Sequence, residues 1–365
     1  MATQSTQTFT TSQLEFSIRL LQQQSASECF VCSPMSISAA LALLHAGAIG
    51  QTKNEIQNLL LPGFTDKDFE KYTSEAVKTL IASDYVLLAN HVFVNKKVII
   101  NESYLEHVKQ LYSAGATQMD FAGGWFSKSP SKIINAYVKA NTKGFIQKIV
   151  NRSDMRRDTT AVLVNAIYFQ CDWYHKFNKK YTKPSTFYTS ESSTRRIPFM
   201  HDSGKRLYAE NEMIQLLCLE YDDASYQLNV FLPKDRYGLK PTLEKLTGSA
   251  IHSLVSTAKK TFLGVSLPKF KTETSADVRE LLESLGMDRL FDGCGDLSGI
   301  ADSMKVGSLV HKAIIDVDED GTTAAAATAE LVIRGMPPKQ EFNADHPFLY
   351  FLSKDNLPLF VGIYA

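Results

Sequence analysis

The sequence lacks the short motifs that mark the common classes of enzyme. It contains no GxSxG nucleophile elbow, no HExxH zinc motif, no Walker phosphate loop and no glycine fingerprint for a dinucleotide. Its eight histidines are spread along the chain, and none is paired with another at the spacing of metal ligands. We therefore expect no metal and no cofactor. A Ser-His-Asp triad assembled from distant residues stays possible in principle, so an enzyme is one open hypothesis.

The chain also lacks an excess of charge and any long apolar run. Its 365 residues include 39 Lys and Arg and 39 Asp and Glu, so the net charge is zero. A basic surface for nucleic acid is therefore not expected. No apolar run approaches the ~20 residues that cross a membrane, and the N-terminus does not have the pattern of a cleavable signal. Cytoplasmic residence and export without such a signal are both compatible with the sequence.

Cysteines are few, and their pattern does not predict a disulfide framework. Five of them, an odd number, are scattered along the chain, which favours free thiols. Cys29 and Cys32 form a CxxC pair, but no second pair or histidine follows at metal-binding spacing. Two glycosylation sequons begin at Asn101 and Asn151, and the sequence does not decide whether either is used.

The hydrophobic pattern changes along the chain from helical to β. Ser33 followed by Pro34 is typical of a helix start, whereas residues 161–169 are apolar and β-branched almost throughout, as in a strand buried on both faces. No repeat and no flexible linker divides the chain, so we expect one mixed α+β domain over residues 1–365. Helices are predicted from Pro34 towards Gly47 and at 51–82, 104–112, 133–150 and 276–285, and strands at 85–94, 97–100, 161–169, 226–232, 261–267, 348–352 and 357–364.

The segment from Asp316 to Pro338 is the most unusual part of the sequence. It begins with acidic residues, passes Gly321 and continues through eight consecutive Thr or Ala residues. Alanine propensity favours a helix, but no apolar stripe marks a face to bury, so an exposed loop fits as well. A third interpretation is an extended segment, small enough to slide between two strands, with Gly321 as its hinge.

An arginine in this segment has the features of a residue that a protease recognises beside the bond it cuts. Arg334 is followed by the small Gly335 and then by Pro337-Pro338, which resist helix and sheet pairing. Trypsin-like proteases carry a carboxylate in the pocket that reads the residue before the cut bond, and a guanidinium pairs well with it. A lone exposed arginine is usually only a solvated charge, so the inference depends on the surrounding loop.

Seven motifs follow one another along the chain. They are Ser33-Pro34-Met35-Ser36-Ile37, Asn165-Ala-Ile-Tyr-Phe169 with Trp173 and Phe177, Leu267-Pro-Lys-Phe270, Asp296-Leu-Ser-Gly-Ile300, Val310-His311-Lys312-Ala313, Glu319-Asp320-Gly321-Thr322-Thr323-Ala324 and His346-Pro-Phe348. In this order they resemble the motifs of the serpin family, and the resemblance covers essentially the whole chain. The resemblance implies a serpin fold of class α+β, with three β-sheets, about eight or nine helices and an exposed reactive loop at about residues 319–341.

The resemblance also implies a mechanism. A serine protease attacks the reactive bond between Arg334 and Gly335, and the acyl-enzyme is trapped when the cut loop inserts into the central sheet. The hinge of that loop would comprise Glu319, Gly321, Thr322, Thr323, Ala324, Ala325 and Ala326. The residues that would control the opening of the sheet are Ser33, Ser36, Asn165, Trp173, Lys269 and His311, with Lys269 paired to Glu319. For Ser36 and His311, ordinary buried polarity is the alternative interpretation.

Three departures from the family pattern leave an alternative open. Thr323 stands where inhibitory members commonly carry Glu, and the spacing from Glu319 to Arg334 is one residue shorter than the commonest arrangement. Glu330 falls in two-residue register with Thr322 and Thr328, so insertion would bury a carboxylate if that face turns inward. A non-inhibitory serpin-fold binding or carrier protein, whose loop is cut as a plain substrate, is therefore the alternative. In either case we expect a monomer, and heparin activation is not supported, because Lys67, Lys71 and Lys78 are interleaved with acidic residues.

Overall fold

The computed structural model describes residues 4–121, 129–152, 160–302, 304–322 and 340–365, with backbone only for residues 4–6. These residues fall into two compact units. The first comprises Met1–Ser12, Ser33–Tyr168 and Thr274–Ala313, and the second comprises Gln13–Cys32, Phe169–Glu273 and Ile314–Ala365. The single domain over residues 1–365 stays a prediction, which one cooperative unfolding transition would support.

The described residues contain ten α-helices. The two short helices α9 and α10 bring the number above the eight or nine that the resemblance implies. A 3₁₀-helix lies at Lys179–Tyr181. The α-helices are α1 (Gln4–Gln22), α2 (Pro34–His45), α3 (Gly50–Leu60), α4 (Asp66–Ile81), α5 (Glu102–Tyr112), α6 (Pro130–Asn141), α7 (Leu239–Lys245), α8 (Gly248–Ser256), α9 (Arg279–Ser284) and α10 (Arg289–Asp292). None of them is long and apolar enough to cross a membrane.

Sixteen strands occur in the same part of the chain, so the predicted mixed α+β class is confirmed. They are β1 (Phe30–Cys32), β2 (Val86–Asn95), β3 (Ala116–Met119), β4 (Ala161–Phe169), β5 (Cys171–Asp172), β6 (Lys183–Ser190), β7 (Ser193–Glu210), β8 (Ile214–Glu220), β9 (Tyr226–Pro233), β10 (Lys259–Pro268), β11 (Phe270–Asp277), β12 (Val306–Val317), β13 (Gly321–Thr322), β14 (Glu341–Asn343), β15 (Phe348–Lys354) and β16 (Leu357–Tyr364).

In the first unit, a buried helix and a buried strand provide the frame of the candidate site. Helix α2 starts as predicted, since the Ser33 hydroxyl accepts the backbone N–H of Ser36 and Pro34 occupies the first turn. All twelve of its residues are buried. Strands β3, β2, β4 and the first part of β12 lie side by side in that order. All nine residues of β4 are buried, as its continuous apolar pattern predicts.

In the second unit, nine strands form one sheet in the order β1-β16-β15-β9-β8-β7-β10-β14, with β6 also paired to β7. The 18-residue strand β7 makes this sheet continuous. Its start pairs with β6, its middle with β10 and its end with β8. The described strands therefore form two hydrogen-bonded sheets instead of the three implied by the resemblance, because one long strand belongs to several pairings.

Four of the predicted elements differ from the structure. The helix predicted at 51–82 forms two helices, α3 and α4, separated by residues 61–65. Residues 97–100 form no strand, because the Asn95 side chain accepts the Lys97 N–H and turns the chain. Helix α6 ends at Asn141 and not near 150, since Lys143 and Gly144 have φ angles of 48° and 85°. The segment predicted as helix from 276 begins as the end of β11, and α9 starts only at Arg279. Strands β6, β7 and β8 were not predicted.

Candidate functional site

Four predicted sheet-control residues meet in one buried polar cluster of the first unit, formed by Ser33, Ser36, Asn165 and His311. Helix α2 supplies Ser36, with Ser33 as its N-cap, β4 supplies Asn165 and β12 supplies His311. Each side chain is at most 1% exposed. Residues far apart in sequence are therefore adjacent, although their role in opening the sheet stays a prediction.

The hydrogen bonds of this cluster fix the state of the histidine. The Ser33 backbone N–H donates to His311 Nε2 at 3.1 Å, so Nε2 carries no proton. His311 Nδ1 then carries it and donates to Asn165 Oδ1 at 2.5 Å. Burial lowers the pKa of His311 to about 3, so the ring is neutral near pH 7.

Asn165 is the centre of the cluster, because both ends of its amide are used. Its Oδ1 also accepts the Ser36 hydroxyl at 2.9 Å, and its Nδ2 donates to the Ser36 carbonyl at 2.7 Å. A buried network in which every polar group is hydrogen-bonded is stable. If the helix and strands moved apart, each of these groups would lose its partner without gaining a water molecule in its place. Opening this cluster therefore has a free-energy cost.

In the second unit, Glu319 lies at the base of the hinge and is held from two sides. Lys269 Nζ lies 2.6 Å from Glu319 Oε2, and the Thr182 hydroxyl donates to Glu319 Oε1 at 2.7 Å. Burial by itself would raise the pKa of Glu319, but these two hydrogen bonds, a backbone hydrogen bond and the charge of Lys269 together outweigh it, and the pKa is lowered. The predicted pair of Lys269 and Glu319 is thus present, and its restraining role on the loop stays a prediction.

Trp173 packs against the acidic turn that precedes the hinge. Its indole Nε1 donates to the Asp318 carbonyl at 2.8 Å, and its backbone N–H donates to the Asp320 carbonyl at 2.9 Å. The Asp318 carboxylate accepts the backbone N–H groups of Asp320 and Gly321. Burial raises the pKa of Asp318. The turn is therefore tied to Trp173 by main-chain and side-chain bonds.

Two residues of the hinge already lie in a sheet. Gly321 and Thr322 form β13, in which Thr322 pairs with Val317 of β12 on one side and with Cys171 of β5 on the other. Gly321 has no room for a side chain, since a Cβ would lie 2.3 Å from the Cys171 carbonyl oxygen. The remaining predicted hinge and reactive-bond residues, Thr323, Ala324, Ala325, Ala326, Arg334 and Gly335, lie outside the described residues.

Three residues of this hinge region were missed by the sequence analysis: Thr182, Lys179 and Tyr221. Lys179 pairs with Asp320 at 2.5 Å, but its side chain is 66% exposed, so the pair contributes little. The Tyr221 hydroxyl lies 2.7 Å from Thr322 Oγ1 in a fully buried position. No spacing rule connects residues this far apart, so only the fold could reveal these contacts.

The chain returns to the nine-stranded sheet after the loop. Strand β14 pairs in parallel with β10, with Glu341 opposite Gly264 and Asn343 opposite Ser266. The side chain of Glu341 packs over Gly264, where a Cβ would lie 2.2 Å from the carboxylate. The segment that contains the predicted reactive bond is thus bounded by β13 at one end and β14 at the other.

Comparison with known proteins identifies this arrangement. A family model described as serpin (serine protease inhibitor) matches residues 11–365. Human Serpin B3 is 31% identical over 382 residues, covering 96% of this chain and 97% of that protein. Leukocyte elastase inhibitor of Xenopus laevis is 32% identical over 347 residues, covering 91% and 92%. The crystal structure of tengpin, a thermophilic serpin in the native state, has a TM-score of 0.89 and 26% identity, covering 100% of this chain and 95% of that one. The serpin fold is confirmed, and the chain belongs to the serpin family.

Proposed function

We propose that this serpin inhibits trypsin-like serine proteases as a suicide substrate. The protease serine attacks the carbonyl carbon of Arg334, and the bond to the Gly335 nitrogen breaks. Gly335 leaves as a new amino terminus, and Arg334 stays joined to the enzyme as an ester. Insertion of the cut loop beside β12 would then carry the attached protease away from its docking position and distort its active site.

The observation that carries this proposal is the position of Gly321 and Thr322. They are buried and paired with β12 and β5, so the start of the loop occupies the place from which a new strand would grow. The next seven residues in sequence are all Thr or Ala. Side chains of this size can enter a sheet with little displacement of their neighbours.

Insertion of the cut loop lowers the free energy of the protein, and cleavage is therefore effectively irreversible. A new strand of about a dozen residues spans ~40 Å. Each of its backbone groups exchanges water for a ladder hydrogen bond, and its inward side chains leave water. An uncut loop is held at both ends, by β13 and by β14, so it cannot extend along the sheet. Cutting after Arg334 would remove that constraint.

The preference for trypsin-like enzymes rests on Arg334 alone. A guanidinium forms bidentate, charge-assisted bonds with a carboxylate buried in the specificity pocket. Gly335 on the other side of the bond offers no side chain to obstruct binding. The relatives support inhibition in general, since the Xenopus laevis protein is named an elastase inhibitor.

Incubation with trypsin tests the proposal directly. We expect a complex that resists SDS and a released peptide of 31 residues, from Gly335 to Ala365, by mass spectrometry. Arg334→Ala should abolish the complex with trypsin. Arg196→Ala is the matched control, because Arg196 is an exposed arginine on β7, outside the loop. Unchanged inhibition by Arg334→Ala would show that the reactive bond is misassigned.

A non-inhibitory carrier is the second candidate, and the register of Glu330 is what favours it. Two-residue steps from Thr322 reach Glu330, so complete insertion of that face would bury a carboxylate at a cost of several kcal/mol. In that case trypsin would cut the loop without forming a complex, and the cut protein would unfold at the same temperature as the intact one. Glu330→Thr would restore complex formation if this carboxylate alone blocks insertion.

A further inference from the structure

Two buried hydroxyl groups join the hinge to the body of the second unit. The Tyr221 hydroxyl and Thr322 Oγ1 lie 2.7 Å apart, and both residues are fully buried. Thr322 is the last residue described at the start of the loop. Both groups are shielded from water, and this contact is the side-chain hydrogen bond that each hydroxyl makes among the described residues.

The ring of Tyr221 is held rigidly by its neighbours. It stacks on Trp173 with ring centroids 4.4 Å apart and meets the edge of Phe169 at 5.2 Å. Trp173 is in turn bonded to the turn at Asp318 and Asp320. The Tyr221 hydroxyl is therefore presented at a fixed point, directly beside the second residue of β13.

We propose that Tyr221 is a positioning residue for loop insertion, whose hydroxyl fixes Thr322 as the first rung of the new strand. Insertion after cleavage then extends a pair that already exists, and no new pair has to form. The first step in ordering a segment is the costly one, because several backbone angles lose conformational entropy before further contacts form to compensate for it. This inference rests on the proposed inhibitory function and concerns the rate of its insertion step.

The rate of insertion decides how often a protease escapes. While the loop inserts, water can attack the ester at Arg334, which frees the protease serine and leaves Arg334 as a carboxylate. The number of inhibitor molecules consumed per trapped protease exceeds one by the ratio of the hydrolysis rate to the insertion rate. We call the amount by which this number exceeds one the excess. Slower insertion raises the excess, whereas binding of the intact loop to the protease is unaffected.

The test measures this excess, the rate of association with trypsin and the unfolding temperature for four single variants and for the double variant Tyr221→Phe with Thr322→Val. Tyr221→Phe removes the hydroxyl and keeps the ring, Thr322→Val removes the other hydroxyl, and Thr322→Ser retains it. Tyr350→Phe is the matched control, since its hydroxyl donates to the Phe30 carbonyl at 3.4 Å and not to a described residue of the hinge.

We expect Tyr221→Phe and Thr322→Val each to raise the excess about fivefold, equivalent to ~1 kcal/mol in the barrier to insertion. The double variant should raise it no further, because both substitutions remove the same bond. Association rates should stay at the wild-type value. Thr322→Ser and Tyr350→Phe should both keep the wild-type excess, even if Tyr350→Phe lowers the unfolding temperature.

An unchanged excess in Tyr221→Phe, or additive effects in the double variant, would overturn the positioning role while leaving inhibition intact. A wild type that forms no complex with trypsin would overturn the proposed function instead. In that case, the rate at which the cut chains gain heat resistance still tests the positioning role, with a slower gain expected for Tyr221→Phe. A wild type that gains none would overturn both proposals.

Discussion

Lys269 Nζ lies 2.6 Å from Glu319 Oε2, and the two side chains differ greatly in exposure. Lys269 is 34% exposed, whereas Glu319 is 4% exposed. The carboxylate is therefore the partner that depends on the pair, because it has little water to replace a lost cation. Within the part of the chain that the structure describes, the Thr182 hydroxyl would remain as its side-chain donor.

Removing the cation should therefore destabilise the protein. We expect Lys269→Gln to lower the free energy of unfolding by about 1–3 kcal/mol, between the values for exposed and buried pairs. Thermal unfolding measures this effect. Lys271→Gln is the control, since its pair with Asp316 is 3.3 Å long and largely exposed, and it should cost less than ~1 kcal/mol. Equal effects of the two variants would contradict the importance of burial here.

A side chain at Gly321 should disturb the start of the loop. A Cβ there would lie 2.3 Å from the Cys171 carbonyl oxygen and 2.7 Å from Asp172 Cα, which are backbone atoms that cannot rotate away. We expect Gly321→Ala to cost about 1–3 kcal/mol, as for overpacking elsewhere. Gly115→Ala is the control, because its nearest neighbour would be 3.5 Å away. Equal unfolding temperatures for the two variants would show that β13 can move aside.

Replacing the central amide of the buried polar cluster should be costly. Asn165→Leu keeps the size of the side chain but leaves the Ser36 hydroxyl, the Ser36 carbonyl and the His311 Nδ1–H without their partner. We expect a loss of at least ~3 kcal/mol, since each buried unpaired group costs ~1–3 kcal/mol.

The matched control for this change is Asn229→Leu. Asn229 is 2% exposed, but its Nδ2 makes one long bond of 3.3 Å to Ser353, and its Oδ1 has no partner among the described residues. Its replacement should therefore cost less than that of Asn165 in denaturant or thermal unfolding. A larger loss at Asn229 would refute the network as the source of stability.

The neutral state of His311 should make stability fall in mild acid. Burial lowers its pKa to about 3, from an ordinary value near 6.5. Above pH 6.5 neither state binds the proton, and between pH 6.5 and 3 only the unfolded chain does. Stability is thus lost as pH falls through this range, by ~1.4 kcal/mol per pH unit.

His45 and His91 add to this loss, because burial lowers the pKa of each to about 4. His311→Gln should therefore reduce the slope of stability against pH between 6 and 4.5 by ~1.4 kcal/mol per pH unit, but not abolish it. Unfolding in urea across this range measures the slope. An unaltered slope in His311→Gln would contradict a neutral buried ring.

Several elements could be predicted from the sequence because their signals are local. The start of α2 needs only Ser33 and Pro34, and β4 is an unbroken apolar run. The end of α6 was misplaced by about nine residues, since the left-handed turn at Lys143 and Gly144 overrides the apolar pattern that continues beyond it. The polar faces of β6 and β7 gave too weak a pattern to predict.

The candidate functional site likewise has features that follow from the sequence and features that only the tertiary structure decides. The sequence by itself determined which residue types are available: the small-residue run after Gly321, the arginine at 334 and the serpin motifs that contain Ser33, Asn165 and His311. Tertiary structure alone decided which of them meet and in what state. The proton on His311 Nδ1, the low pKa of Glu319 and the bond from Tyr221 to Thr322 all depend on groups that lie at least 50 residues apart in the chain and on the exclusion of water around them. Burial and pairing of this kind arise only when distant segments pack together.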